Sequence, residues 1–380
     1  MIYLDNAATT SLSTKALETL VSVSQEVYGN PSSIHTFGRK ANQILRQARQ
    51  DIAHSLRVKS EQIIFTSGGS EADNLAIKGY ALAHQNKGKH LITTAIEHHA
   101  VLHTMEYLEE RFGFEVTYLQ PVNQQITAQQ VKEALRPDTI LVSIMYANNE
   151  TGQLLPIQEI GELLQSHQAA FHVDAVQAVG KVPLFPEELG IDFLAASAHK
   201  FHGPKGVGFL YSKHAKLDSL INGGKQENQH RAGTENLPAI AAMARALTDQ
   251  IKQYQRNLDY IRQLREQFLT EIAKIDHYIN QSEHTLPHIL NIGFPGYLNE
   301  QLLMRLDLAG IAVSSGSACT AGVIQNSHVL EALYGTDSQR LKESIRISFS
   351  EENTAEEIHT LSQTIKEIIG GAPTWHSNHK

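Results

Sequence analysis

The 380 residues hold 32 Lys and Arg against 40 Asp and Glu, a formal net charge of -8, so no basic surface for nucleic acid or an anionic membrane is expected. No apolar run is long enough to span a bilayer, and Met1-Ile2-Tyr3-Leu4-Asp5 does not read as a signal peptide. The length suffices for two domains with cores of their own, and the single cysteine, Cys319, excludes an intrachain disulfide and fits a reducing cytoplasm.

In chain order, Tyr3 to Thr10 is a short extended entry ending in small polar residues, and Thr14 to Tyr28 reads as a helix that Gly29-Asn30-Pro31 breaks. A second helix covers Thr36 to Leu56, with apolar spacing at Ile44, Leu45, Ala48 and Ile52. Glu61 to Thr66 reads as a strand, Ser67-Gly68-Gly69-Ser70 as a turn, and Glu71 to Ala83 as a helix with Ser70 and Asp73 as a capping box. Strand, glycine turn and helix N-terminus together suit an oxyanion, although an ordinary capped helix would read alike. His90 to Ala95 is a strand that ends in Glu97-His98-His99, with a helix running on through Tyr107. His99 and His103 stand four apart, but without a third ligand no metal site is expected. His98, at the strand end, suits stacking on a planar ring.

Thr139 to Tyr146 and Ala169 to Val173 are nearly continuous apolar strands, joined by a helical stretch from Ile157 to Gln168. That rhythm predicts a mainly parallel sheet covered on both faces, with ligands beyond the carboxyl ends of its strands. Gly69, His98, Asn149, Asp174 and Lys200 all fall at such ends. A carboxylate like Asp174 at a buried strand end needs a positive partner, either a pyridinium nitrogen or a nearby lysine or arginine. Ile191 to Ala195 is a buried strand ending in small residues, after which Lys200 stands between His199 and His202, and Gly203-Pro204 turns the chain. A lysine desolvated there becomes a usable amine nucleophile, as a Schiff base to an aldehyde cofactor requires; a surface lysine in a turn is the plain alternative.

Gly223 to Thr234 is a polar loop too long for a simple connector. After Pro238, apolar residues from Ile251 to Ile272 trace one face of a long helix that leads to a second domain. His288 to Phe294, Ile311 to Val313 and Ser344 to Phe349 read as strands, Glu300 to Leu308 and Thr354 to Ile369 as helices. Arg346 faces opposite to Ile345 and Ile347 and can fork onto a carboxylate, of the protein or of a substrate. Cys319 sits among small or polar residues in Ser314 to Gly322, a setting for an exposed reactive thiolate rather than a packed one.

Four segments together resemble the cysteine desulfurases, pyridoxal-phosphate enzymes of the aspartate-aminotransferase fold (fold type I). These are Ser197-Ala198-His199-Lys200 with Gly203-Pro204-Lys205-Gly206, His172 to Gln177, Arg231 to Asn236, and Ser315 to Thr320. The resemblance runs from Tyr3 to about Ile369, and is greatest to the nitrogenase and housekeeping iron–sulfur subgroup. It implies an α/β fold with a large domain over 14–255 and a smaller one made of 1–13 and 256–380. It further implies that pyridoxal 5'-phosphate is held covalently by Lys200, stacked by His98, met at its ring nitrogen by Asp174 and at its phenolic oxygen by Gln177. Gly69, Ser70, Ser197 and His199 would hold the phosphate, with Thr234 reaching in from the second subunit of a homodimer. Asn149 would contact the cofactor and, with Arg346, the substrate carboxylate; no metal is implied. The phosphate turn reads Gly69-Ser70 where the family often has Ala-Thr, which keeps a hydroxyl.

The activity so implied converts L-cysteine to L-alanine, Lys200 taking the Cα proton and Cys319 keeping the sulfur as a persulfide for an acceptor protein. An aminotransferase or selenocysteine lyase of the same fold is the alternative, and Cys319 in its loop separates them. Ala321 to Leu330 resembles desulfurases dedicated to tRNA thiolation, and the chain stops at Lys380, soon after its last helix. A tRNA thiolase is therefore the expected acceptor, an iron–sulfur scaffold the other, and the tRNA itself would not be gripped by this acidic chain.

Overall fold

The computed structural model describes residues 1–280, 283–316 and 326–370. Seven strands form the main sheet, in the order Ile63–Thr66, Gly208–Ser212, Phe193–Ser197, Ala170–Asp174, Thr139–Ser143, His90–Thr94, Glu115–Leu119. All run the same way except Gly208–Ser212, which pairs antiparallel with both neighbours. Phe193–Ser197, Ala170–Asp174, Thr139–Ser143 and His90–Thr94 are buried at every residue, because helices cover both faces. One apolar cluster on this sheet gathers Ile92, Val142, Phe171 and Val173 with the helix Thr36–Leu56, and another packs Leu91, Leu141 and Phe193 against the helix Gly69–His84.

A third cluster surrounds a three-stranded antiparallel sheet of Tyr278–Ile279, Ile289–Gly293 and Ser344–Ser348. Leu4 belongs to it, since Ile2–Tyr3 pairs in parallel with Ile311–Ala312. The helix Leu237–Glu271 connects the cores: Leu237 to Leu247 pack on the large one, Ile261, Leu264 and Phe268 on the small one. Its 35 residues reach about 52 Å, and Pro238 sits in the first turn, where no amide partner is lost.

Several expected boundaries shift. The first helix ends at Glu26, the strand after the second helix begins at Ile63 behind a 3-10 turn over Ser60–Gln62, and the helix expected to Gln168 ends at Leu164. The helix from His99 runs past Tyr107 to Phe112. The Ser70–Asp73 capping box does not form: Gly68 is the N-cap residue without a side-chain bond, and Glu71 instead accepts from the Ser67 amide at 2.8 Å. Asp73 is drawn inward because its helix face packs on the sheet, where it lies 1% exposed.

Candidate active site

Beyond the carboxyl ends of the codirectional strands lies an open cavity of about 540 Å³. Gly69, Ser70, His98, Asn149, Asp174, Gln177, Ser197, His199, Lys200 and Arg346 all line it. Thr234 does not line this cavity and is exposed. Cys319 lies outside the described residues, and Gly316, three positions before it, is on the cavity wall.

Lys200 stands in the 3-10 turn Ala198–Lys200, which ends the strand Phe193–Ser197. The turn that follows is tight: His202 has φ 63°, and a Cβ on Gly203 would meet the Ala198 Cβ at 2.8 Å. Lys200 Nζ donates to the carbonyls of Ala7 and Ala8 at 2.5 and 2.9 Å. Burial, aided by the Arg346 charge, lowers its pKa to about 8, so the neutral amine is accessible near neutral pH. His199 beside it falls to about 4, by burial and then the Lys200 charge, and its Nδ1 lies 3.2 Å from the Thr9 hydroxyl.

Asp174 ends the strand Ala170–Asp174 and is 6% exposed. Its Oδ1 accepts from the Val176 amide at 2.9 Å, and it forms no ion pair among the described residues. Burial raises its pKa, against the pull of His98, the Val176 amide and Lys200. His98 is the N-cap of the helix His99–Phe112; its Nδ1 accepts from the Ala100 amide at 3.1 Å, which assigns the proton of the neutral ring to Nε2. Gln177 donates to the Ala7 carbonyl at 3.0 Å.

The turn Gly68-Gly69-Ser70 opens the helix Gly69–His84 with no side-chain cap, which leaves backbone amides free for an anion. A Cβ at 69 would stand 2.7 Å from Val176 Cγ2, so a side chain there needs Val176 to shift. Arg346, 4% exposed, donates to Asp5 Oδ1 at 2.7 Å and to the Asn149 carbonyl at 2.9 Å, while its buried Nε has no partner among the described residues.

Sequence reasoning passed over several residues at this site. Asp5, Ala7 and Ala8 line the cavity, because the N-terminal segment leaves the small core and is pinned by Thr10, whose amide donates to the His199 carbonyl at 2.8 Å. The run Asn6 to Thr10, all small, was the available signal, since only small residues let backbone pass so near Lys200. Glu97 is wholly buried and accepts from the Thr94 hydroxyl at 2.8 Å and the Met145 amide at 3.0 Å; burial raises its pKa to about 8. Asp73 Oδ1 lies 3.4 Å from His172 Nε2 without hydrogen-bond geometry. Burial pushes Asp73 well up, with the Asp174 and Glu97 charges adding, and burial drops His172 to about 3, so burial disfavours the charged form of both. The rings of His99 and His103 stack at 4.9 Å, and no group of side chains among the described residues is arranged to hold a metal.

Residues 2–361 match the family model for class-V aminotransferases. The chain belongs to the aminotransferase class-V family. Class-V aminotransferases of this kind are pyridoxal-phosphate proteins of fold type I, and this chain has their α/β fold with a mostly parallel central sheet. A putative cysteine desulfurase IscS 1 of Bacillus subtilis is 50% identical over 97% of this chain and 98% of its own length. The cysteine desulfurase IscS of Dictyoglomus turgidum is 44% identical over 97% and 94%. Among solved structures, a NifS-like protein superposes with a TM-score of 0.92 at 35% identity, covering 98% of this chain and all of that one. SspA in complex with cysteine gives a TM-score of 0.83 at 36% identity, covering 93% and 100%. No helix among the described residues of this class-V chain is long and apolar enough to cross a membrane.

Proposed function

We propose that this chain is an L-cysteine desulfurase that passes sulfur through Cys319 to an acceptor protein. The observation that carries the reading is Lys200 and Asp174 lining one cavity with Gly316 on its wall. The residues fit pyridoxal 5'-phosphate. Asp174 is a buried carboxylate in no ion pair among the described residues, and a pyridinium nitrogen would supply one. The uncapped helix N-terminus at Gly69 and Ser70, with Ser197 and His199, suits the phosphate. His98 offers a ring to stack, Gln177 an amide for the phenolic oxygen, and Asn149 a further polar contact.

The bound cofactor supplies an electron sink that acidifies the Cα proton of an attached amino acid. Arg346 and Asn149 hold the substrate carboxylate. Lys200, neutral above about 8, accepts the Cα proton. The Cys319 thiolate bonds to the substrate sulfur while the carbon–sulfur electron pair returns to carbon. That carbon takes a proton, and L-alanine leaves. Thiol plus L-cysteine thus becomes persulfide plus L-alanine, with no outside oxidant or reductant. Cys319 follows Gly316 by three residues, a span of at most about 11 Å in extended chain.

The chain works as a homodimer in this reading, Thr234 completing the phosphate site of the second subunit. Its loop is held in a fixed shape: residues 227, 228 and 229 all have positive φ, Glu227 takes Arg49 Nη2 at 2.6 Å and the Phe65 amide at 2.9 Å, and Arg231 pairs with Glu71 at 2.9 Å. The separate apolar clusters support a division into 14–255 and 1–13 with 256–380, although Val329 packs in the large one. The reducing cytoplasm suits its single thiol, and the acceptor is a tRNA thiolase rather than an iron–sulfur scaffold, on the resemblance of Ala321 to Leu330.

Holoprotein given ³⁵S-labelled L-cysteine should release one alanine per sulfur fixed on Cys319, and Cys319→Ser should fix none. The label should then pass to a tRNA thiolase. Alanine release at the wild-type rate from Cys319→Ser, or transfer of the amino group without label on the protein, would overturn the reading; labelling of the scaffold alone would reverse the choice of acceptor.

A further inference from the structure

His202 stands two positions past Lys200, is 4% exposed, and has no task in the chemistry above. Its backbone is left-handed, φ 63°, a conformation in which a side chain brings strain that other bonds must offset. Every polar group of the residue is engaged. The amide donates to the Thr10 hydroxyl at 2.8 Å, and the carbonyl accepts from the Ser13 amide at 3.0 Å. Ring Nδ1 lies 3.0 Å from the Ser11 carbonyl, and ring Nε2 lies 3.4 Å from Glu351 Oε1.

A carbonyl and a carboxylate can only accept, so both ring nitrogens face acceptors and both carry a proton. By that inventory the ring is an imidazolium. The Ser11 hydroxyl leaves the count unchanged: it lies 3.4 Å from Nδ1 but donates to Glu352. Glu351 is held in turn by the helix Leu237–Glu271, accepting from Gln250 at 2.6 Å and Asn257 at 3.2 Å. Burial lowers the His202 pKa, but the pairing with Glu351 and then the Glu352 charge raise it overall. Burial raises the Glu351 pKa, but the pairing with His202 and the Gln250 bond bring it down to about 2. Lys181, Lys200, Tyr254 and His288 share a small cavity with the pair.

Three pieces of chain meet at this one ring: the turn that carries Lys200, the N-terminal segment at Thr10 to Ser13, and the segment that follows the strand Ser344–Ser348. The same N-terminal segment supplies the Ala7 and Ala8 carbonyls to which Lys200 Nζ donates. Resting on the reading of Lys200 as the lysine that holds the cofactor, we propose that His202 is a positioning residue, an imidazolium whose pairing with Glu351 locks the Lys200 turn to the N-terminal segment and to the small core, and so aims the Lys200 amine. The physical reason is preorganisation. Pieces fixed relative to one another before reaction hold the amine near its target, and that gains rate which a loosely held amine loses.

The test uses the full chain as wild type, His202→Asn, His202→Gly, Glu351→Gln and the double variant of His202→Asn with Glu351→Gln. Asparagine and glycine accept the left-handed backbone but carry no imidazole. One readout needs no cofactor: ¹⁵N NMR of histidine-labelled protein. The His202 signal, found by its loss in His202→Asn, should show both ring nitrogens protonated near neutral pH. Glu351→Gln should lower its titration midpoint by about one pH unit or more. The other readout is the rate at which cofactor-free protein captures pyridoxal phosphate, divided by the fraction of neutral Lys200 amine that each variant's own pH profile gives. His202→Asn, His202→Gly and Glu351→Gln should each slow it by about tenfold. The double variant should fall little further, because all of them break one contact. Glu351→Gln leaves the Lys200 turn unaltered, so it decides the matter even where a change at 202 prevents folding. A neutral His202 ring near neutral pH, wild-type capture in His202→Gly or in Glu351→Gln, or additive losses in the double variant would overturn the proposal. Absence of any capture by wild type, with the ring still doubly protonated, would instead sink the cofactor reading of Lys200, and this role with it.

Discussion

Asp5 and Arg346, 341 positions apart, are joined by a 2.7 Å hydrogen-bonded ion pair in the cavity wall. The pair acts on Lys200 from both signs: the Arg346 charge lowers the Lys200 pKa, and the Asp5 charge raises it. The N-terminal segment thereby helps set the protonation of a lysine from the middle of the chain.

Capture of pyridoxal phosphate by Lys200 in cofactor-free protein should follow the fraction of neutral amine. Its rate, read at the visible absorbance, should rise about tenfold per pH unit and level off near pH 8, the lowered value. Asp5→Asn removes a charge that favours the ammonium, so the levelling point should move to lower pH. Lys200→Ala should fix no pyridoxyl group after borohydride reduction, and Lys205→Ala, at an exposed residue, should fix it as wild type does. A levelling point that rises in Asp5→Asn would refute the electrostatic account.

Asp174→Asn should still bind the cofactor but turn over slower by several orders of magnitude, because an amide cannot hold the ring nitrogen protonated. Equilibrium dialysis and alanine release measure the two separately. An unchanged rate would mean that another acid serves the ring.

Thr234 should act across the dimer. Lys200→Ala and Thr234→Ala chains, mixed and re-equilibrated, should form heterodimers with one site that holds both groups, so cofactor retention should exceed that of either parent. Retention no better than the parents', or a fully active monomer, would remove Thr234 from the second subunit's site.

Glu97 should make stability depend on pH. Its folded pKa, raised by burial to about 8, exceeds the unfolded value of 4.5, so the folded state binds the proton more tightly. Stability from this group is full below 4.5 and is lost as pH rises through the window up to about 8, by an amount on the order of a few kcal/mol. Glu97→Gln keeps an acceptor for Thr94 and Met145 and cannot ionise. Urea denaturation of that variant should show a flatter pH dependence across the window; an identical slope would show that Glu97 does not titrate there.

The sequence by itself determined the features written in adjacent residues. The helix Thr36–Leu56, the buried parallel strands and the strand-end positions of Gly69, His98, Asn149, Asp174 and Lys200 follow from periodicity and from where apolar runs stop. Only the tertiary structure decided what meets across the chain. The strand Gly208–Ser212 runs against its neighbours because it returns directly from Lys200, and its short apolar run carried no sign of direction. Asp73 was read as a cap residue on local spacing, yet its helix face turns it toward His172, 99 positions on. Asp5 and Glu97 look like ordinary surface acids in sequence, and each becomes consequential through partners brought beside it by packing. Periodicity reports which face of an element is apolar, a property of neighbours along the chain. Which charges share a cavity depends on how several elements stack, and that is set by the burial of their apolar faces rather than by the charges themselves.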